Sequence, residues 1–178
     1  ISANCKSDFV IKANSQGLII KEENSLKLYN YNGEQMHRLL ADYTHFERAF
    51  LGGEVVLCTS IETQDDYILI ADKFSNSVQK FVFAGDNLVF DKILIASSGA
   101  DNDRLNKPEC IAVTSDGVYI ADTLNSRLIF KNNNGVFEVT PLNANPNLIC
   151  FGSDKKIYVY SNYSHYNRSN CRGNYIAY

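Results

Sequence analysis

A chain that repeats itself at a fixed interval builds its core by stacking copies of one unit. Ile70-Ala71-Asp72 recurs fifty residues later as Ile120-Ala121-Asp122, and Ile20 stands fifty before Ile70. The clearest copy of the unit runs from Arg104 to Val139. It contains the apolar run Cys110-Ile111-Ala112-Val113, the turn Ser115-Asp116-Gly117, and the run Val118-Tyr119-Ile120-Ala121. Asp122 to Asn125 turns again, Leu128-Ile129-Phe130 returns, and Asn132 to Gly135 leads into Val136 to Val139. Short apolar runs separated by Asn, Asp and Gly at this spacing predict an antiparallel meander. Such a sheet has two faces and cannot cover both alone, so the copies must cover one another.

The other copies are weaker but keep the order of runs and turns. The first has Phe9-Val10-Ile11, Leu18-Ile19-Ile20, Leu26 to Tyr29 and Met36 to Leu40, with Asn32-Gly33 as a hairpin signal before the last run. The second has Val55 to Cys58, a turn through Glu62 to Asp66, Tyr67 to Asp72, a turn bearing Asn76, Val78 to Phe83, and Leu88 to Phe90. The fourth has Leu148 to Phe151, a turn at Gly152 to Lys156, Ile157 to Tyr160, and a final Tyr175 to Tyr178. Residues 41–50 carry the only helical spacing and read either as a turn or two of helix or as a long connection. Repeated meanders without a long helix predict an all-β fold, a β-propeller of four antiparallel blades in a single domain spanning 1–178. The blades fall at about 8–41, 54–95, 105–141 and 146–178. Phe9 to Ile11, Val55 to Cys58, Cys110 to Val113 and Leu148 to Phe151 are the expected innermost runs.

Charge and motifs then exclude several functions. The net charge is −3, and the only local concentration of basic residues is Lys155 and Lys156 with Arg168 and Arg172, so nucleic acid is not an expected partner. No apolar run approaches the ~20 residues of a membrane-spanning helix. The chain opens at Ile1 rather than Met, which reads as a trimmed chain, and carries two Asn-x-Ser sequons, at Asn162 and Asn167. The five cysteines show no Cys-x-x-Cys spacing, and His37, His45 and His165 do not fall at equivalent repeat positions, so neither a metal site nor a cofactor is expected. Cys58, Cys110 and Cys150 sit in apolar runs and read as small buried hydrophobes. No Gly-x-Ser-x-Gly elbow, phosphate-cradling Gly loop or His-Glu-x-x-His is present.

Asn106-Lys107-Pro108, Ile111-Ala112-Val113, Asp116-Gly117, Tyr119-Ile120-Ala121-Asp122, Thr123, Asn125 and Arg127-Leu128 together resemble the NHL-repeat signature. Ile70-Ala71-Asp72 with Asn76 keeps half of it. The resemblance implies a propeller, in a family whose members usually have six blades. A ring closing at four needs a fastener, because unpaired strand edges invite association. Cys5 and Cys171 flank the first and last runs, so a Cys5–Cys171 disulfide is expected at that junction, worth ~4–5 kcal/mol on chain entropy. Hemopexin-like domains are similar in closing four blades with one disulfide. Oxidising surroundings would also suit the sequons.

The amidating lyases resemble this chain in fold but use several His in their blades, which the three His here do not reproduce. Asp72 and Asp122, with Asn125 and Arg127, are expected to fasten turns through backbone amides and to tie blades together. Tyr29, Tyr31, Tyr158, Tyr160, Tyr163 and Tyr166 offer aromatic surface of the kind binding faces use. These readings converge on a non-catalytic extracellular module that recognises protein or carbohydrate through one propeller face. The alternatives are a structural subunit of a larger extracellular assembly, in which the chain would be oligomeric, and an NHL-type lyase-like enzyme.

Overall fold

A computed structural model describes residues 9–15, 17–22, 25–40, 52–85, 87–96, 98–162 and 174–177. They form four antiparallel sheets in sequence order, and the fold is all-β. Blade 1 is β1 (Phe9–Asn14), β2 (Gly17–Glu22), β3 (Ser25–Tyr29) and β4 (Gln35–Leu40). Blade 2 is β5 (Cys58–Thr63), β6 (Tyr67–Asp72), β7 (Ser77–Ala84) and β8 (Asn87–Ile95). Blade 3 is β9 (Pro108–Val113), β10 (Gly117–Asp122), β11 (Arg127–Asn132) and β12 (Phe137–Pro141), with a 3-10 turn at Thr123–Asn125. Blade 4 contributes β13 (Asn145–Phe151), β14 (Ile157–Asn162) and β15 (Asn174–Ala177). In each, strands follow one another as neighbours, the simplest consequence of short turns. The 41–50 segment lies outside the described residues.

The fifty-residue interval has a geometric meaning. Ile11, Ile61 and Ile111 sit in the first strands of their blades and pair with Ile20, Ile70 and Ile120 in the second. First strands of successive blades lie side by side, β1 against β5, β5 against β9 and β9 against β13. Residues at equivalent or adjacent positions of successive first strands therefore touch. The Lys12 ammonium donates to Glu62 at 2.7 Å, and the amide of Ile111 donates to the Ser60 hydroxyl at 3.2 Å. The amide of Ile149 donates to the Cys110 sulfur at 3.3 Å.

Between the blades lie three apolar layers. Ile19, Leu26 and Leu28 of blade 1 meet Ile61, Ile70 and Phe81 of blade 2. Leu69, Ala71 and Val78 meet Ile111, Ile120 and Ile129. Cys110, Ala112 and Leu128 meet Ile149, Ile157 and Val159. Burial follows from this stacking. β6 is buried from Ile68 through Asp72, on both faces, because blades cover it on both sides. β2 alternates, with Ile19 and Lys21 buried and Leu18 and Ile20 half-buried, and β14 alternates in the same way. Among the described residues, no comparable apolar layer joins blade 4 to blade 1.

Two sequence expectations need correction. The run Val55 to Cys58 is not the first strand of blade 2, because β5 begins at Cys58 and continues to Thr63. The amides of Val56 and Leu57 are taken by the Asp72 carboxylate, at 3.1 and 3.0 Å, and so are not available to a ladder. Cys150 is exposed rather than buried, because it lies on the face of blade 4 turned away from blade 3. Cys58 and Cys110 are buried thiols, and burial pushes Cys58 up to about 12 and raises Cys110 as well.

Candidate binding site between blades 2 and 3

Among the described residues, the turn between second and third strands is heavily bonded in blades 2 and 3. Asp122 is fully buried, and its carboxylate accepts from the Asn106 amide at 2.6 Å, Asn125 Nδ2 at 2.8 Å and Arg127 Nε at 2.6 Å. Arg127 then donates to the carbonyls of Ala100, Asp101 and Arg104 at 2.6 to 2.8 Å, and Asn125 to that of Gly99 at 2.7 Å. The group closes the turn and also holds the whole connection from blade 2 to blade 3. Asp72 takes the same position in blade 2, accepting from Val56, Leu57, Phe74 and the Ser75 hydroxyl. There Ser77 stands at the arginine's register position, and Gln79 holds the connection instead, accepting from the Gly53 amide and donating to the Glu54 carbonyl, both at 2.9 Å. With their lone pairs so committed, neither aspartate is placed to act as a base.

Asn76 is not the counterpart of Asn125. It has φ 52° and stands where Ser126 stands, at φ 49°, so both are the left-handed residue that ends the turn. Its side chain reaches forward, accepting from the Lys107 amide at 2.7 Å, and Ser126 likewise donates to Asn145 Oδ1 at 2.7 Å.

The predicted tyrosines are not gathered. Tyr31 occupies the exposed β3–β4 turn and donates to the Asn14 carbonyl, while Tyr29 ends β3 on the face away from blade 2. Tyr158 and Tyr160 are in blade 4; Tyr158 donates to Asp154 at 2.9 Å, a bond that raises the phenol and lowers the carboxyl. Tyr163, Tyr166, Asn167, Cys5, Cys171, His45 and His165 lie outside the described residues, as does the side chain of Asn162. Among the described residues no cluster of three His, Cys, Asp or Glu is placed to hold a metal.

A cleft is present that the sequence reading did not single out. Toward the end of the blades where first strands turn into second, the apolar layer between blades 2 and 3 opens into a space of about 230 Å³. Tyr67, Leu69, Leu94, Val113 and Val118 line it, together with Lys80, Lys92 and Lys131. Strand pairing explains the arrangement. Leu69, Lys80 and Lys92 are consecutive partners across β6, β7 and β8, so they share the face turned to blade 3. Val113, Val118, Lys131 and Phe137 form the matching row across blade 3. The blade 2 row is apolar toward the propeller interior and basic toward the rim, and in blade 3 Lys131 lies between Val118 and Phe137; such long side chains can bury their stems and keep the charge wet.

The lysines are only partly matched by acids. Lys80 lies 3.6 Å from Asp91 and over the Tyr67 ring at 4.5 Å, and Lys131 lies over Phe137 at 5.5 Å. Burial, and then the Asp66 carboxylate, raise the Tyr67 phenol, which keeps it a neutral donor. No carboxylate lines the cleft itself. Gly117 is required at its floor: a Cβ there would stand 2.2 Å from the Lys131 carbonyl oxygen and 2.8 Å from Asn132 Cα. Alternation of lysine with aliphatic residues was visible in the sequence. What it could not give is which rows face each other.

Fold and site define a β-propeller with an interblade basic cleft. Solved structures of the same fold include a catalytically inactive virginiamycin B lyase from Staphylococcus aureus with quinupristin, at TM-score 0.60 and 14% identity, covering 89% of this chain and 51% of that one. A streptogramin B lyase aligns at TM-score 0.62 and 11% identity, covering 100% of this chain and 56% of that one. A candidate 6-phosphogluconolactonase from Bacteroides uniformis aligns at 0.60 and 12%, covering 94% and 55%. The chain thus spans little more than half the length of these structures. No protein-family model and no curated protein matches it, so the NHL resemblance stands on the quoted motif alone.

Proposed function

We propose that this chain is a non-catalytic extracellular recognition module that holds an acidic group of a protein or carbohydrate partner in the cleft between blades 2 and 3. The observation that carries the reading is a cleft lined by Lys80, Lys92 and Lys131 beside aromatic and aliphatic residues, with no carboxylate in its lining. An anion seated there would exchange water for three ammonium donors, while an attached apolar group would cover Tyr67 and Val118. Tyr31, on the exposed turns of the same propeller side, extends the contact surface.

The test is titration with two probes, a short glutamate-rich peptide bearing one aromatic residue and a uronic-acid oligosaccharide. One of them should bind in low salt, weaken steeply as salt rises, and lose at least tenfold in affinity on Lys92→Glu. Lys92 is exposed, so this variant should fold normally. Binding of neither probe, or binding indifferent to Lys92→Glu, contradicts the reading. For the compartment, intact mass with and without glycosidase and reductant should show glycan on Asn162 or Asn167 and a Cys5–Cys171 link, within one chain or between two.

A lyase-like enzyme is the second reading, supported by the fold shared with streptogramin and virginiamycin lyases. Metal titration with a lyase assay on quinupristin tests it. Metal-dependent turnover would replace the recognition reading.

A further inference from the structure

Among the described residues, the two outer faces of the blade stack are unfinished copies of the inner ones. In blade 2 the positions Ile70 and Phe81 are buried by blade 1. Pairing places Ile20 and Tyr29 at the same positions in blade 1, on the face away from blade 2, where both are half-buried. At the other end, Cys110, Ala112 and Ala121 of blade 3 are covered by blade 4. Their register equivalents in blade 4 are Leu148, Cys150 and Tyr160, of which Leu148 is 53% exposed and Cys150 exposed. One face thus has the form that receives a preceding blade and the other the form that receives a following one.

We infer that two copies of this chain join head to tail, blade 4 of each packing on blade 1 of the other, to close one ring. The interface continues a packing already present between successive blades, so it needs no new kind of contact. A heterologous interface closes when its rotations complete a circle. Tyr29, Tyr158 and Tyr160 are then interblade residues at the junction rather than parts of a ligand face. This inference does not rest on the lysine cleft, which lies between blades 2 and 3 and is complete in one chain.

The register also says which residues meet. Lys12, Glu62, Ala112 and Cys150 occupy one position in the four first strands, and Lys12 touches Glu62 across its junction. Cys150 of one copy should therefore face position 12 of the other. The test is Lys12→Cys in the full chain, oxidised gently and mapped by peptide mass spectrometry, beside sedimentation of the unmodified protein. The expected results are a sedimenting mass of twice 20.0 kDa and a covalent dimer linked from position 12 to Cys150. A second variant, Leu148→Asp, should reduce the mass to that of one chain while leaving the β-sheet circular dichroism unchanged. A link from position 12 to Cys150 within one chain would mean that four blades close on themselves. That result overturns the inference, as does a single-chain mass with no link.

Discussion

At the residue scale the fold turns on Asp122 and Asp72. The Asp122–Arg127 pair at 2.6 Å is buried, and the arginine holds three carbonyls of the interblade connection at the same time. Removing one partner of such a pair leaves a buried charge without compensation, at ~3–5 kcal/mol. Asp122→Ala should cost that much in urea unfolding, and a loss below ~1 kcal/mol would mean that solvent reaches the guanidinium. Gln79→Ala removes neutral hydrogen bonds to Gly53, Glu54 and Ser77, so its cost should be smaller, ~1–3 kcal/mol. The buried Cys58 thiol adds a pH dependence. Its folded value is about 12 against an ordinary 9.0, so the unfolded chain loses the proton first. The stability it contributes is complete below pH 9.0 and declines between there and about 12, by up to about 1.4 kcal/mol per pH unit. Unfolding followed from pH 8 to pH 10.5 should show a shallower decline in Cys58→Ala than in the parent protein. Identical slopes would remove the thiol as a cause.

At the scale of elements, strand pairing decides what the sequence could reveal. The fifty-residue interval between Ile20, Ile70 and Ile120 exposed the repeat because those residues occupy one position in three second strands. The blade count and the roles of Asp72 and Asp122 as turn fasteners were legible for the same reason. Val55 to Leu57 misled because apolarity alone does not show that an aspartate sixteen residues away takes the amides of Val56 and Leu57. Asn76 was aligned with Asn125 by residue type, although backbone conformation places it with Ser126. The lysine cleft was hidden because it arises where two sheets face each other, and packing between sheets leaves no period in the sequence. Gly117 links this scale to binding. Gly117→Ala would push the β10 turn against backbone atoms of β11, which cannot yield as a side-chain tip can. It should both lower stability and weaken binding of the acidic probe, as calorimetry on the folded variant would show. Normal affinity would mean that the cleft floor does not touch ligand.

At the scale of the whole molecule, the stack has two kinds of blade. Among the described residues, blades 2 and 3 are covered on both faces, blades 1 and 4 on one. Local opening costs more where apolar surface is covered twice, so strand amides should exchange at different rates even though all are paired within their own sheets. Cys150 reports the same state chemically. Its alkylation should be fast in dilute protein and slow as concentration rises, while Cys58 and Cys110 stay protected at every concentration that keeps the fold intact. The most direct test of the open four-blade stack is hydrogen exchange read strand by strand in dilute protein. Slow exchange in β6 and β10 with faster exchange in β2 and β14, converging as the concentration is raised, is the predicted result. Uniform protection of all four strands at high dilution would contradict it and establish a ring closed by one chain.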